Sequence, residues 1–537
     1  MKRSLIALVV LISVNLSAQT VDVAPATPAA KLVQTIAQSE ASHHVRNFYG
    51  PNGYRLVWTR NGRPTPQALT LISLFEGASA KALDPADYAA GTWTARMTDL
   101  PTDAAAARFD VAVTATLVKY ASHLRMGRVH PQSVDFDMDM EDKQVNYASL
   151  VGTVAASADV NAILSSIEPQ NDDYRRLIAA LATWRRIAQS NDETVPVVTK
   201  LNIGDDYAGL PQLTAKLRLY GDLPATATIT GTKYEGAIVD AVKHFQSRHG
   251  LDADGIVSKK TFAQLNTPAS DRVAQINRAI ERARWTPAQL QAPAIVVNIP
   301  EFRLYGISES GQNDIEMRVV VGKAAGHQTP VFEGDMKHVV FRPYWNVPPS
   351  IQKTEIAAKL DSSYAARNNY EVVDDNGRVQ SINEETVSKV RKGSLRVRQK
   401  PGTSNALGLV KFLFPNDNNV YLHSTPSQSL FSRTRRDFSH GCVRVEDPVA
   451  LAEWVLQQKP EWNRDKIKAA INGKRDDVYV TLDRAIPVVI FYNTVVAQED
   501  GDVLFLDDIY GHDTKLAKML APKTQQQGAG VLLAARK

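Results

Sequence analysis

A single cysteine, Cys442, stands in a short polar segment whose residue types could carry out nucleophilic chemistry. The segment reads Ser439-His440-Gly441-Cys442-Val443-Arg444, and its cysteine is the only one in 537 residues. A histidine, His423, lies nineteen residues upstream, at the end of an apolar run. A thiol with an imidazole nearby is the usual arrangement of a cysteine nucleophile and its general base. These residues therefore predict a nucleophilic Cys442.

The residues around the cysteine suggest how the remaining roles are shared. Gly441 allows the backbone a tight path, so we expect the amides of 440–442, in a loop formed with Ser439 and His440, to point at a substrate oxyanion. His440 alternates with Cys442 and would face elsewhere in an extended segment, which favours His423 as the base. The sequence leaves the choice between the two histidines open.

Two other interpretations use the same side chains. His423, His440 and Cys442 could be three zinc ligands, but close ligand pairs and a carboxylate for a fourth position are missing. We therefore expect neither a metal nor a cofactor. Periodicity alone also allows an inert, buried cysteine beside a structural histidine.

The N-terminus has the pattern of a secretory signal. Lys2 and Arg3 precede an apolar run from Leu5 to Val14, and Ser17-Ala18 offers a cleavage site. We predict a signal peptide over residues 1–18 and an exported protein, with an uncleaved anchor as the less favoured alternative. An unpaired thiol is unusual in an oxidising compartment, which strengthens the case for a reactive Cys442. A net charge of +5 is too small to indicate nucleic-acid binding.

The first half of the chain is predicted to be helical. Residues 19–35 are rich in Ala, Pro, Thr and Val and are expected to form a flexible tether. Residues 36–204 are expected to form a helical scaffold domain, since apolar side chains recur at helical spacing from Phe109 to Leu124 and from Tyr174 to Trp184. No candidate for a nucleophile or metal site occurs there.

Residues 205–268 form a smaller predicted unit. Ile238, Val242 and Phe245 make a helical stripe, and Ser258 can cap a following helix. The sequence of residues 241–251, followed by Asp254-Gly255-Ile256, resembles that of the small three-helix peptidoglycan-binding domain. The resemblance implies contact with wall glycan.

The rest of the chain changes from helix to strand. A linker helix is predicted over 269–291, followed over 292–490 by a mainly-β domain with short β-branched runs. Residues 352–397 are more polar and helix-like and are predicted to form an insertion that could act as a lid. Strands and a tail are expected over 491–537. The predicted fold class is multidomain α+β.

The mainly-β domain resembles the catalytic domain of the L,D-transpeptidase family. The resemblance rests on His423 with the Cys442 segment, and on Val319-Val320-Val321-Gly322, Thr329-Pro330, Trp345-Asn346-Val347-Pro348-Pro349, Arg398-Gln399-Lys400-Pro401-Gly402 and Asn405-Ala406-Leu407-Gly408. With the helical scaffold, the small domain and the insertion, the chain resembles the large periplasmic members of that family.

The resemblance implies a mechanism and a set of partners. Cys442, activated by His423, would attack the third residue of a tetrapeptide stem, expel D-alanine and pass the acyl group to an amine of a second stem, giving a 3→3 cross-link. The backbone carbonyl of Ser424 would orient the base, and Trp345 and Asn346 would line the groove. Because stem peptides carry carboxylates, Arg444 or Tyr344 would bind them, and a role of Arg444 in bracing the loop remains equally open. The partners would be peptidoglycan stem peptides and glycan, and the protein would be a monomer. Two alternatives remain: transfer of the acyl group to water, which would make the protein an L,D-carboxypeptidase, and a non-catalytic wall-binding role. The sequence also leaves open which diamino acid the stem contains and which acceptor is used.

Overall fold

The computed structural model describes residues 23–40, 42–98, 100–287 and 292–521. The predicted signal peptide, the first residues of the tether and the end of the tail lie outside the described residues.

The chain divides into two compact units. One consists of Met1–Arg125 and Gln144–Glu168, and the other of Met126–Lys143 and Pro169–Lys537. The predicted scaffold domain of 36–204 therefore does not coincide with the first unit, because residues 126–143 and 169–204 belong to the second unit.

The first unit is helical, with one short hairpin among its described residues. Its helices are α1 (Pro28–Ser39), α2 (His43–Tyr49), α3 (Pro66–Glu76), α4 (Trp93–Arg96), α5 (Asp103–Met126), α6 (Tyr147–Ala156) and α7 (Val160–Ile167), its strands are β1 (Thr59–Arg60) and β2 (Arg63–Pro64), and 3-10 turns occur at Ala78–Lys81 and Pro85–Tyr88. Asp110 on α5 is fully buried and accepts hydrogen bonds from the Tyr49 hydroxyl (2.8 Å) and the Trp58 amide (2.6 Å). This buried carboxylate fixes the loop before β1 to the central helix.

The predicted tether is wrong over its second half. Thr27 caps α1 through its side chain, Pro28 occupies the first turn, and Val33 and Ala37 are fully buried. Alanine is the best helix former and proline fits the first helical turn, so a composition typical of a tether also suits a helix start.

The second unit contains the remaining elements. Its helices are α8 (Asp172–Ala188), α9 (Leu210–Leu219), α10 (Ala237–Arg248), α11 (Lys259–Leu265), α12 (Ala269–Ala283), α13 (Pro349–Ile351), α14 (Ser362–Arg367), α15 (Glu384–Lys392), α16 (Pro448–Val455), α17 (Arg464–Asn472) and α18 (His512–Leu520), with 3-10 turns at Pro131–Val134, Glu141–Lys143 and Gln428–Ser432 and a π-helical turn at Gln352–Ile356. Its strands are β3 (Phe136–Asp137), β4 (Ala294–Asn298), β5 (Arg303–Ile307), β6 (Asn313–Gly322), β7 (Val331–Phe341), β8 (Trp345–Asn346), β9 (Tyr370–Val373), β10 (Val379–Gln380), β11 (Arg396–Gln399), β12 (Val410–Leu413), β13 (Leu422–His423), β14 (Asp437–Ser439), β15 (Val443–Val445), β16 (Val478–Phe491), β17 (Val495–Ala497) and β18 (Val503–Phe505).

The small helical domain is built from α9, α10 and α11, as predicted. Val242 and Phe245 of α10 are fully buried, and the Ser258 side chain caps α11 by accepting from the Thr261 amide. Helices α10 and α11 thus form where the apolar stripe and the capping residue indicate them.

Eight strands of the mainly-β domain close into a barrel. The order is β12-β13-β15-β6-β5-β4-β16-β7, and β7 pairs again with β12. The pairs β13–β15 and β16–β4 are parallel and the others are antiparallel. Inward side chains such as Val297, Val319 and Val339 are fully buried in one core. Residues 478–491 form one long strand, β16, with an irregularity between Thr481 and Ile486.

The predicted insertion is a compact α+β subdomain. Strands β10, β9, β11 and β8 form its sheet, and Val372 and Val397 are fully buried in a core of its own. The buried Gln352 side chain donates to the carbonyls of Val390 (3.0 Å) and Leu395 (2.9 Å) and accepts from the Val397 amide (2.8 Å). The helix-like character predicted for 352–397 is confirmed by α14 and α15, whereas the strands were not predicted.

The chain after residue 491 forms more than the expected strands and tail. Strands β17 and β18 make a hairpin, and a helix, α18, comes after it. The hairpin packs on the helices that precede the barrel: Phe505 lies 4.7 Å from Trp184, ring centroid to centroid, and Gln275 donates to the carbonyls of Thr494 and Leu506 at 3.1 Å.

Candidate active site

The loop that carries Cys442 connects β14 to β15 and is held by two hydroxyl side chains. Thr329 donates to the Gly441 carbonyl (2.7 Å) and accepts from the Gly322 amide (2.9 Å), and Ser439 donates to the Cys442 carbonyl (2.6 Å). Gly441 has φ +116°, a backbone conformation that other L-residues rarely adopt. The motif sequence thus gives the loop one fixed shape.

The surroundings of Cys442 act on the pKa of its thiol in both directions. Burial raises the pKa of Cys442, while hydrogen bonds from the Tyr421 backbone and side chain and the charges of Lys411 and Arg444 act in the opposite direction. The sulfur also lies 3.8 Å from the Asn419 carbonyl. The site therefore opposes ionisation by desolvation and offers donors and cations that favour the thiolate once it forms.

His423 is held in one tautomer. Its Nδ1 lies 2.6 Å from the Ser424 carbonyl oxygen, and a carbonyl can only accept, so Nδ1 carries the hydrogen and Nε2 keeps a free lone pair. Burial, and after it the charge of Arg444, lowers the pKa of His423 to about 3. The imidazole is therefore neutral at physiological pH and can accept a proton at Nε2.

His423 and the thiol of Cys442 share one face of the barrel wall. Strands β13 and β15 are parallel, with Leu422 opposite Val443 and His423 opposite Arg444. Leu422 and Val443 are fully buried in the core, so the alternating positions on either side of them face the other way. Cys442 comes directly before Val443 and His423 directly after Leu422, which brings both to the same outer face.

Close packing behind His423 fixes the Ser424 carbonyl that accepts from its Nδ1. The Ser424 hydroxyl accepts from the amides of Leu409 (2.6 Å) and Val410 (3.1 Å) and donates to the Leu407 carbonyl (3.1 Å). Gly408 has φ +61°, and a Cβ there would overlap the Ser424 hydroxyl and lie 2.8 Å from its carbonyl carbon. Glycine is required because the two backbones approach so closely.

The expected oxyanion donors are only partly available. The Gly441 amide donates to the Ser439 hydroxyl (3.1 Å), so it does not point at a substrate in this arrangement. Among the hydrogen bonds of the described residues, none occupies the Cys442 amide. This amide and the Tyr421 hydroxyl are the donors next to the sulfur that an oxyanion could use.

His440 faces the insertion. Its Nε2 lies 2.8 Å from a Glu355 carboxylate oxygen, and its ring is 4.6 Å from that of His327, centroid to centroid. Because Glu355 belongs to the π-helical turn of the insertion, His440 joins the cysteine loop to that subdomain. In the described parts of the chain, no three His, Cys, Asp or Glu side chains form a metal-binding group.

Of the predicted substrate-binding residues Tyr344, Trp345 and Asn346, only Trp345 is linked to Cys442 by hydrogen bonds among the described residues. The Trp345 side chain hydrogen-bonds Tyr421, which in turn bonds Cys442, so Trp345 belongs to the site. The Tyr344 ring lies 4.4 Å from the Arg398 guanidinium, and Arg398 pairs with Glu371 at 2.5 Å. Asn346 is exposed and alternates with Trp345 along β8, so the structure does not bring it towards the cysteine.

Tyr421, Lys411 and Thr329 also belong to the site, and their roles there were not predictable from residue type alone. Tyr421 stands two positions before His423 and thus on its side of the strand, a signal that strand periodicity could have given. Lys411 lies directly opposite His423 on β12, and this pairing is visible only in the folded barrel.

Comparisons with known proteins agree with this architecture. The model of the L,D-transpeptidase catalytic domain matches residues 292–489, one described as "Putative peptidoglycan binding domain" matches 208–265, and a scaffold domain model matches 43–181. A Haemophilus influenzae protein named "Putative L,D-transpeptidase" is 34% identical over 227 residues, which cover 41% of this chain and 45% of that protein. The match therefore spans just under half of the relative's length.

Two solved structures are more distant. An L,D-transpeptidase from Xylanimonas cellulosilytica has 14% identity and a TM-score of 0.18, covering 55% of this chain and 99% of its own. A fused amidase/peptidase/peptidoglycan-binding protein from Clostridium acetobutylicum has 15% identity and a TM-score of 0.16, covering 54% and 99%. At these identities and TM-scores, neither likeness supports a conclusion about function.

The second unit thus joins a three-helix domain of the peptidoglycan-binding type to a closed barrel of the transpeptidase type. Residues 292–489 belong to the L,D-transpeptidase catalytic domain family. The resemblance seen in the sequence and the multidomain α+β fold class are confirmed. Within the described residues, no helix is long and apolar enough to cross a membrane.

Proposed function

We propose that the protein is an exported peptidoglycan L,D-transpeptidase that forms 3→3 cross-links through a thioester on Cys442. One observation carries the proposal: parallel pairing of β13 with β15 brings Cys442 to the face of a His423 whose Nδ1 is held by a carbonyl. The family of residues 292–489 supports the type of reaction.

The first half-reaction consumes a tetrapeptide stem. As the sulfur of Cys442 bonds to the carbonyl carbon of the third residue, the thiol proton passes to Nε2 of His423. The Cys442 amide and the Tyr421 hydroxyl donate to the oxyanion. The C–N bond then breaks, Nε2 returns the proton to the leaving amine, and D-alanine departs.

The second half-reaction reverses these movements with a new amine. The amine of a second stem attacks the thioester, gives its proton to Nε2 and displaces the sulfur, which recovers the proton as a thiol. The same imidazole serves both half-reactions because its tautomer is fixed by the Ser424 carbonyl.

The remaining parts of the chain support a location at the wall. The small helical domain belongs to a peptidoglycan-binding type, and we assign it the glycan strands. The N-terminal pattern of Lys2, Arg3 and the apolar run after them supports export to the periplasm. We propose a monomer as the working state.

Mass spectrometry of purified protein with a disaccharide-tetrapeptide tests the proposal. A cross-linked dimer that has lost one D-alanine supports it, whereas a tripeptide product alone would indicate a hydrolase and unchanged substrate a wall-binding protein. Cys442→Ala should abolish both the dimer and the thioester adduct with a carbapenem. An adduct that persists in this variant overturns the assignment of the nucleophile.

The two histidines are distinguished by their variants. His423→Ala should lose far more acylation rate than His440→Ala, because only His423 has its Nδ1 held by a carbonyl and its Nε2 free. The reverse ranking would make His440 the base.

A further inference from the structure

Two cations flank the base on the face that carries the thiol. Across the strands, Lys411 of β12 lies opposite His423, and His423 lies opposite Arg444 of β15. The three residues therefore form a row, Lys411–His423–Arg444, with the imidazole in the middle. Two strand spacings put the outer Cα atoms about 10 Å apart, so two long side chains can reach one small anion between them.

Neither cation is neutralised by a carboxylate at contact distance. Among the described residues, no ion pair involves Lys411 or Arg444, and the buried Nε of Arg444 has no hydrogen-bond partner. The Lys411 ammonium lies 3.9 Å from the centroid of the Tyr421 ring, which holds the side chain towards Cys442. Asp477 is the carboxylate whose charge acts on Lys411, and it stays beyond ion-pairing distance.

Such an arrangement is costly unless an anion completes it. Burial lowers the pKa of Lys411 and of Arg444, which means that the site disfavours both charges in the free protein. Partly buried cations without counter-ions are typical of sites that receive an anionic group. Their position on both sides of the base indicates where that group belongs.

We propose that Lys411 and Arg444 together bind the α-carboxylate of the amino acid whose amine exchanges protons with His423. This inference rests on the proposed function. The leaving amine must come within hydrogen-bond reach of Nε2, and in D-alanine the carboxylate is attached to the carbon next to that amine. The carboxylate therefore falls among the two cations that flank the imidazole.

The same site selects the acceptor. By microscopic reversibility, the attacking amine enters along the path by which the leaving amine departs, so an acceptor with a carboxylate beside its amine fits the same cations. An amine without that carboxylate leaves them unpaired. The acceptor class is thus an α-amino carboxylate, such as the carboxylated end of a diamino acid in the stem.

Carboxylate binding also strengthens the base. Arg444 and Lys411 are among the causes that hold the pKa of His423 low, after burial. A bound carboxylate cancels much of their field, so the imidazole accepts a proton more readily when substrate is present. Substrates with the carboxylate removed should therefore lose kcat as well as affinity.

Alkylation of Cys442 by two matched reagents tests the site without any transpeptidation. Iodoacetate carries a carboxylate and iodoacetamide is its neutral counterpart; both react with the same thiolate, so a change in the thiol pKa cancels in the ratio of their rates. We expect the ratio of the iodoacetate rate constant to the iodoacetamide rate constant to be about tenfold higher for Cys442 than for free cysteine, as for a partly desolvated charge pair. Lys411→Met should remove most of this gain, Lys411→Arg should keep it, and Lys337→Met, an exposed lysine of β7, should leave it unchanged. A wild-type ratio no higher than that of free cysteine overturns the proposal.

Acyl transfer from a preformed thioester then tests the acceptor. At equal concentrations of free amine, D-alanine should be acylated about tenfold faster than D-alaninamide, and Lys411→Met should reduce that preference. Equal use of the two amines by the wild-type protein would refute the acceptor class. If no thioester forms, the proposed function fails while the alkylation ratio still decides the carboxylate site.

Discussion

Replacing Thr329 with valine should loosen the cysteine loop at almost constant side-chain volume. The Thr329 side chain is 1% exposed and bonds the Gly441 carbonyl at 2.7 Å and the Gly322 amide at 2.9 Å. Valine leaves both backbone groups buried without a partner, at about 1–3 kcal/mol each, so Thr329→Val should destabilise the barrel by about 2–6 kcal/mol. The acylation rate should fall as well, because the loop that presents the sulfur is no longer fixed.

Deuterium labelling read peptide by peptide supplies a local assay for this prediction. Pulse labelling of backbone amides along a urea series, followed by mass spectrometry of peptides from β7 and β16, reports the opening of the barrel separately from that of the helical unit. Thr481→Val is the matched control, since Thr481 is exposed on β16 and bonds His338 only at 3.2 Å; its effect should stay within about 0.5 kcal/mol. Equal labelling midpoints for the two variants would refute the bracing role of Thr329.

Three further predictions concern the base and the insertion. Gly408→Ala should lower both stability and acylation rate well beyond Gly393→Ala, which has a similar positive φ but open space around it; equal melting temperatures would contradict the clash. The pKa of His423 is about 3 in the folded protein and 6.5 in the unfolded chain. The neutral imidazole therefore adds about 4–5 kcal/mol to the free energy of unfolding above pH 6.5, and this stability is lost as the pH falls towards 3. In acid denaturation, His423→Asn should lose less stability than the wild-type protein over that pH range. Glu355→Gln weakens the exposed hydrogen bond between Glu355 and His440, which contributes at most about 1 kcal/mol. If the insertion acts as a lid, the rate of maleimide labelling of Cys442 should therefore rise by no more than about fivefold. An unchanged labelling rate would argue against a lid.

Local patterns predicted the parts of this protein that depend on neighbours in sequence. The 3.6-residue spacing from Phe109 to Leu124 indicated a helix, and the β-branched run at 294–298 indicated a strand, because both bury one regular face. Residue types and motif singled out Cys442 and His423 as a candidate nucleophile and base, and the pairing of β13 with β15 brings both to one face of the sheet.

Features that depend on distant pairing were not predictable. The row of Lys411, His423 and Arg444 exists only because β12, β13 and β15 meet in register, and register is set by the closed barrel. In β11, Val397 is buried between the arginines at 396 and 398, so a strand looked like a polar segment. The Gly441 amide was expected to be free, but the Ser439 hydroxyl competes for it within the same loop.

The hairpin β17–β18 has a consequence for how the enzyme would work along its polymer. It comes after the barrel in sequence yet bonds the small helical domain, through Arg248 to the Val503 carbonyl (3.0 Å) and through His244 to Asp502 (2.8 Å). If the small helical domain holds the glycan strands and Cys442 carries the acyl group, as proposed, the hairpin joins the bound strand to the reacting thiol. A glycan-binding site at a constant distance from Cys442 would place cross-links at a regular interval from each bound position, whereas a hinged domain would spread them.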